Sequence, residues 1–164
     1  GDGSQLGMNI QYSYEEEPLG TGGALKNAAE KLDEEFLLLN GDTYLEADYC
    51  KIIKAFQKER GSGIIAVYGN KDGIAPNNIV VGSSNLVIEY DKKDAGGKTH
   101  LDAGVAVYKK DVIGLVHEGK VCSLEEEIFP ELIKDGKLFA FPVEQRFYDM
   151  GSIEGLQLLE EVLR

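Results

Sequence analysis

The hydrophobic positions of this chain fall into short blocks of two kinds. Phe36 to Leu39 and Ile64 to Tyr68 are unbroken apolar runs that stop abruptly at polar or glycine residues. Runs of that length predict strands buried on both faces, as in the parallel sheet of an open α/β domain. Elsewhere the apolar residues space out at helical intervals. Ala24, Leu25, Ala28, Ala29 and Leu32 form one stripe, and Ile52, Ile53, Ala55 and Phe56 form another. The second helix is predicted from Asp48, a good N-cap, to Arg60, with Gly61 beyond its end. Residues 8–14 alternate in character and predict a further strand. The order β-α-β-α-β implies crossover helices and a parallel sheet.

After Tyr68 the pattern shortens. Ile79-Val80-Val81 and Leu86-Val87-Ile88 flank a turn at Gly82-Ser83-Ser84-Asn85 and predict a small β-meander insert. Residues 92–98 form a polar, glycine-containing loop expected to be mobile. Leu101 to Tyr108 is a strand interrupted by Gly104. Ser123, with Glu126 three residues on, predicts a capping box opening a helix that carries Ile128, Phe129, Leu132 and Ile133 and ends near Gly136. Leu138 to Pro142 is a strand and Ile153 to Leu163 a helix. The prediction is one α/β domain over residues 1–164: a doubly wound, mostly parallel sheet with a small β-meander insert.

At 164 residues and 43% hydrophobic content, the chain can bury one real core. A net charge of −12 argues against a nucleic-acid or anionic-membrane surface. A phosphorylated ligand stays open, because a metal and one or two lysines can override the global field locally. No apolar stretch approaches the length of a membrane span. Cys50 and Cys122 are too few for a disulfide framework and fit a reducing, cytoplasmic setting. His100 and His117 lack metal-ligand spacing.

Chemistry concentrates where the first apolar run ends. Asn40-Gly41-Asp42 puts a carboxylate at the carboxyl edge of a buried strand, where open α/β sheets bind ligands. Gly41 is read as permitting a tight backbone, and Asp42 offers hard oxygen for Mg²⁺ on a phosphate; a backbone-capping turn residue is the other reading. Asp149, in Phe147-Tyr148-Asp149-Met150-Gly151-Ser152, has the same kind of context, and the two could share one metal. Gly20-Thr21-Gly22-Gly23 lies between a predicted strand and helix, where amides and the helix dipole favour anions or polar ring edges; glycines there for steric reasons alone are equally consistent. Glu15-Glu16-Glu17 just upstream is either a solvated acidic run or a carboxylate source for the donor edge of guanine.

Taken in order, four segments resemble the sugar-1-phosphate nucleotidylyltransferase family: Glu17-Pro18-Leu19-Gly20-Thr21-Gly22-Gly23-Ala24, Leu38-Leu39-Asn40-Gly41-Asp42, Asp102-Ala103-Gly104-Val105 and Phe147 to Ser152. They span nearly the whole chain and look most similar to mannose-1-phosphate or heptose-1-phosphate guanylyltransferase-like members. The resemblance implies the nucleotide-diphospho-sugar transferase fold and the reaction NTP + sugar-1-phosphate → NDP-sugar + pyrophosphate, with GTP favoured. It implies that Asp42 and Asp149 are catalytic and hold Mg²⁺. Glu17, Gly20, Thr21, Gly22, Gly23 and Asn40 would bind the nucleotide, and Lys93, Asp102 and Gly104 the sugar phosphate. For Lys93, a solvated lysine of the 92–98 loop is the other reading.

Two departures accompany it. The family's Glu-Lys-Pro pattern is degraded at Tyr90-Asp91-Lys92-Lys93, so its glutamate contact is absent or moved. The family's opening strand and Gly-Gly-x-Gly-Thr-Arg loop have no counterpart. The resemblance therefore implies a domain truncated at its N-terminus, with little transferase activity alone and an exposed sheet edge that invites self-association into a homo-oligomer. A non-catalytic nucleotide- or sugar-phosphate-binding module of the same fold is the alternative. A metal-dependent glycosyltransferase is a third reading, but Asp42-Thr43-Tyr44 does not supply its usual Asp-x-Asp.

Overall fold

A computed structural model describes residues 1–94 and 96–164. In chain order the regular elements are α1 (Gly20–Asn27), β1 (Glu35–Leu39), β2 (Thr43–Leu45), α2 (Tyr49–Phe56), β3 (Gly63–Tyr68), β4 (Ile79–Val81), β5 (Val87–Tyr90), β6 (Leu101–Lys109), α3 (Phe129–Lys134), β7 (Leu138–Val143), β8 (Phe147–Asp149) and α4 (Ile153–Leu163). The central sheet runs β1-β6-β3-β7. β3 and β7 pair in parallel, while β6 is antiparallel to both of its neighbours. Three of the four strands thus share one direction, and the sheet is mixed because the reversed strand sits inside it.

β3 explains why the sheet is covered on both sides. All six of its residues are buried. Ile65 and Val67 join Phe36, Tyr108, Phe129 and Leu132 in one apolar cluster. Ile64, Ala66 and Tyr68 join Ile52, Phe56, Val105 and Phe139 in the other. α2 supplies the second cluster from its single apolar stripe, while α1 and α3 supply the first. A strand with both faces buried has no polar alternate positions, which is why it reads as one apolar run.

The predicted insert forms as a β4–β5 hairpin, joined to the sheet by a bridge between Leu86 and Phe139. Of the 92–98 loop, position 95 lies outside the described residues. At its end Lys98 is buried, and its ammonium pairs with Glu89 at 2.9 Å.

Residues 8–14 are not a strand. Met8, Ile10, Tyr12 and Tyr14 are exposed, and among the described residues no strand takes their backbone bonds. Alternation marks a strand only where a neighbour accepts the ladder and a core accepts the apolar face. The predicted helix over 24–32 is shifted towards the N-terminus: α1 begins at Gly20, and after Asn27 only a 3-10 turn, Ala29–Lys31, continues it. Asp48 caps α2 as predicted, accepting from the Lys51 amide at 3.2 Å, but the helix stops at Phe56.

Ser123 also caps, accepting from the Glu126 amide at 3.1 Å. The returning carboxylate is Glu127, which accepts from the Ser123 amide at 3.0 Å. The first turn, Leu124–Ile128, is π-helical, so the reciprocal partner lies one residue later than a normal capping box places it.

Candidate active site

β1 ends at Leu39, and the chain turns through Asn40-Gly41-Asp42 into β2. That short strand pairs antiparallel with β8, so that Thr43 faces Asp149. The Met150 amide donates to the Asp42 carbonyl at 2.6 Å. Facing positions in such a ladder hold their Cα atoms about 5 Å apart. Asp42 and Asp149, distant in sequence, are thereby one ladder step from each other. Both are exposed. Asp42 accepts from the Thr43 hydroxyl at 3.1 Å, and Asp149 from the Gly151 amide at 2.8 Å. Gly41 has open space where a side chain would stand and a backbone any residue can adopt. Its lack of a side chain leaves room beside Asp42; it is not needed to shape the turn, contrary to the sequence-based expectation.

Two hollows meet here. One, of about 630 Å³, is lined by Asn40 and Asp42 together with Thr21, Lys92, Asp102 and Glu125 over an apolar floor that includes Leu38 and Val105. The other, of about 510 Å³, shares Asn40 and Asp42 and adds Arg146, Tyr148, Asp149 and Ser152. Asp42 therefore stands on the ridge between them.

Asp102 reaches the first hollow because β6 bulges. The register between β3 and β6 shifts between Ile65 and Val67, and Gly104 in the bulge has φ +72°. A left-handed glycine in a bulge re-aims the side chains before it. A side chain at 104 would also meet Thr43 Cβ at 2.9 Å. The Asp102 carboxylate accepts from the Gly104 amide at 2.9 Å and the Tyr90 hydroxyl at 3.1 Å. Burial nevertheless pushes its carboxyl above the usual range. Burial likewise raises Tyr90, keeping that phenol a donor.

Glu125 has the opposite balance. Burial alone would raise its carboxyl, but hydrogen bonds from Thr21, its own backbone and Ser123, together with the Lys92 charge, outweigh burial and hold it low. Lys92 pairs with Glu125 at 3.2 Å.

The expected residues divide as follows. Asp42, Asn40, Thr21, Asp102 and Gly104 line the first hollow, and Asp149 lines the second. Gly20, Gly22 and Gly23 lie in the first turn of α1, packed on residues 120–122. The Gly22 and Gly23 amides both donate to the Cys122 carbonyl, at 2.9 and 3.3 Å. Gly20 has φ +74°, and a side chain there would meet that carbonyl at 2.6 Å. Glu17 is exposed and lines neither hollow. Lys93 also lies outside them, its ammonium 3.0 Å from Glu126; Lys92, its neighbour, faces the hollow instead. Sequence reasoning missed Glu125, whose segment was read only as a capping signal. Arg146, whose ring partner is Tyr148, stands in the second hollow with its guanidinium 3.4 Å from Asp72.

Among the described residues, no group of three or more His, Cys, Asp or Glu is gathered into a protein-only metal cage. Asp42 and Asp149 are exposed carboxylates lining the same hollow, a donor set of the kind that suits Mg²⁺, which keeps several waters and binds through one or two carboxylates plus phosphate oxygens. Among the described residues, no helix is long and apolar enough to cross a membrane.

Residues 1–162 match the protein-family model described as Nucleotidyl transferase. A mannose-1-phosphate guanylyltransferase of Mycobacterium tuberculosis is 32% identical over 158 residues, covering 94% of this chain and 44% of that protein. The chain spans about half the length of the curated relatives it matches. The crystal structure of HddC from Yersinia pseudotuberculosis superposes with a TM-score of 0.81 at 27% identity, over 96% of this chain and 68% of that one. HddC complexed with GMP-PN gives a TM-score of 0.77 at 28% identity, over 92% and 65% of the two chains.

Proposed function

This chain belongs to the nucleotidyl transferase family, and from that premise we propose that it serves as a sugar-1-phosphate guanylyltransferase domain acting on GTP and mannose- or heptose-1-phosphate. The observation that carries the reading is the β2–β8 register, which sets the Asp42 and Asp149 backbones one ladder step apart, with Asp42 lining both of two hollows large enough for two substrates and Asp149 lining the second. The mannose-1-phosphate guanylyltransferase relatives and the HddC complex with GMP-PN support guanine and a sugar phosphate as the pair.

In this reading an oxygen of the sugar-1-phosphate attacks the α-phosphorus of GTP. The bond from that phosphorus to the bridging oxygen breaks, and pyrophosphate leaves with the electron pair. Asp42 and Asp149 would hold Mg²⁺, which supplies neutralisation of charge on the phosphate oxygens. Asn40 orients the nucleotide, while the Thr21 hydroxyl, donating to Glu125 and accepting from the Leu124 amide, braces the opposite wall. The glycines of the first α1 turn keep residues 120–122 close enough for that turn to form one wall. Asp102, with Lys92 in place of Lys93, orients the sugar end. Arg146, the residue before β8, adds positive charge for phosphate in the second hollow. No covalent intermediate on the protein is required, so positioning and electrostatics carry the rate. The two free cysteines suit a cytoplasmic setting.

The test is pyrophosphate release with mannose-1-phosphate or a heptose-1-phosphate, comparing GTP, UTP, TTP and CTP, with binding of each nucleotide followed by thermal shift. GTP should lead in both measurements. Equal response to all four removes the guanine assignment. Binding of both substrates without pyrophosphate release would identify a binding-only module.

A further inference from the structure

The hollow beside Asp42 contains a carboxylate to which the mechanism above gives no task. Glu125 is held from three sides. Its Oε2 accepts from the Thr21 hydroxyl at 2.7 Å and the Ser123 hydroxyl at 3.0 Å, and its Oε1 pairs with Lys92 Nζ at 3.2 Å. Its side chain is only 17% exposed. Both side-chain hydroxyl donors fall on Oε2, so Oε1, which takes only Lys92 among the side chains, is the oxygen with acceptor capacity to spare. An ammonium has three donors, so Lys92 keeps two.

Next to this pair lies Asp102, linked through Tyr90, whose hydroxyl donates to Asp102 and whose ring lies 6.0 Å from Lys92 Nζ. The wall therefore presents an acceptor at Glu125, a donor at Lys92 and an acceptor at Asp102, with the two carboxylates held in place by their own hydrogen bonds before any ligand arrives.

We propose that Glu125, with Lys92 as its counter-ion, reads the hydroxyl groups of the sugar ring and is a specificity-determining residue for the sugar. The proposal rests on the nucleotidyl-transfer reading and deepens it. A phosphate is the wrong ligand for this wall, because the charge of Lys92 is already balanced by Glu125 and a further anion would face that carboxylate unscreened. The donor edge of guanine is a poor match, since it needs both oxygens of a carboxylate and Oε2 of Glu125 already accepts from Thr21 and Ser123. Neighbouring ring hydroxyls each donate and accept, and they match the acceptor–donor–acceptor sequence. Fixed polar groups discriminate strongly against a ligand lacking the matching hydroxyl, because they are left unpaired.

Calorimetric titration of this chain with Mg²⁺, using mannose-1-phosphate, its single-deoxy analogues, methyl phosphate and GTP, tests it. Glu125→Gln should weaken mannose-1-phosphate roughly ten-fold or more while leaving methyl phosphate and GTP within about two-fold. For the deoxy analogue that lacks the contacted hydroxyl, the substitution should have no effect. Glu125→Asp, which keeps the charge but shortens the reach, should fall between. A Glu125 that only ties α1 to the Ser123 turn would weaken every ligand alike, and that result overturns the proposal. So does selective loss of GTP, or unchanged mannose-1-phosphate binding. If the unsubstituted protein bound GTP and mannose-1-phosphate and the Gln variant matched it, the proposal alone would fall. If the unsubstituted protein bound neither, the guanylyltransferase reading would fall and take the proposal with it. Unfolding midpoints of both variants exclude misfolding as the cause.

Discussion

The Met150 amide donates to the Asp42 carbonyl at 2.6 Å, closing the short ladder in which Thr43 faces Asp149. That bond uses main-chain atoms only, so the two segments carrying Asp42 and Asp149 are held together by backbone while both side chains stay exposed. A site built this way tolerates side-chain substitution without losing its frame.

Asp42→Asn and Asp149→Asn should therefore each remove Mg²⁺-dependent turnover by roughly 100-fold or more, with the double variant little worse than either single one. Their unfolding midpoints should stay near that of the parent. Additive losses in pyrophosphate release would mean that the two residues do not serve one cation.

Gly20 and Gly41 should respond in opposite ways to alanine. Gly20 combines φ +74° with a carbonyl 2.6 Å from the would-be Cβ, so Gly20→Ala should cost about 1–3 kcal/mol. Gly41 is open, so Gly41→Ala should leave stability unchanged and lower only ligand affinity. Urea unfolding of both variants reads the difference.

Asp102 predicts a stability that declines with pH. Its carboxyl is raised in the folded state by burial, so the native protein binds more protons than the unfolded one between the two pKa values. The favourable contribution is complete below the unfolded value and is lost as pH rises through the folded one. Asp102→Asn should thus raise the unfolding midpoint at neutral pH, with the gain vanishing in acid, while weakening sugar-phosphate binding. A variant less stable at neutral pH would contradict the assignment.

Glu125 titrates with the opposite sign. Its folded carboxyl is held below its ordinary value, so its contribution is present above the unfolded pKa and lost as pH falls through the folded one. Thr21→Val removes the donor to Oε2 and the acceptor for the Leu124 amide, 2.9 Å away. It should cost about 1 kcal/mol at neutral pH and less in acid, as chemical denaturation across pH would record.

Arg146→Met should lower kcat/KM for nucleotidyl transfer by roughly 10- to 100-fold, because its guanidinium stands in the hollow that Asp149 lines. Unaltered kinetics would reduce Arg146 to a brace between Asp72 and Tyr148.

The sequence by itself determined the parts that depend on local chemistry. The apolar runs at 36–39 and 64–68 could only be strands, Asp48 and Ser123 could cap the helices after them, and Asn40-Gly41-Asp42 ended the first run with a carboxylate. Burial on both faces holds for β3 but not for β1, an edge strand in which only Phe36 is buried and Leu39 is exposed. Period and capping are properties of neighbours along the chain, so they are legible without the fold. Pairing is not. Residues 8–14 alternate as a strand should, yet no described strand lies beside them. β6 reads as apolar like β3, yet runs the other way, because direction is set by the connection into a strand, and the β4–β5 hairpin rather than a crossover helix leads from β3 to β6. The choice of Lys92 over Lys93 came from the turn after Tyr90, where the Asp91 carboxylate takes the Lys93 amide at 2.7 Å. Glu125 entered the hollow through Thr21, 104 residues away in sequence. Contacts of that range depend on how the sheet brings α1 and the Ser123 turn together, and only the tertiary structure decides that.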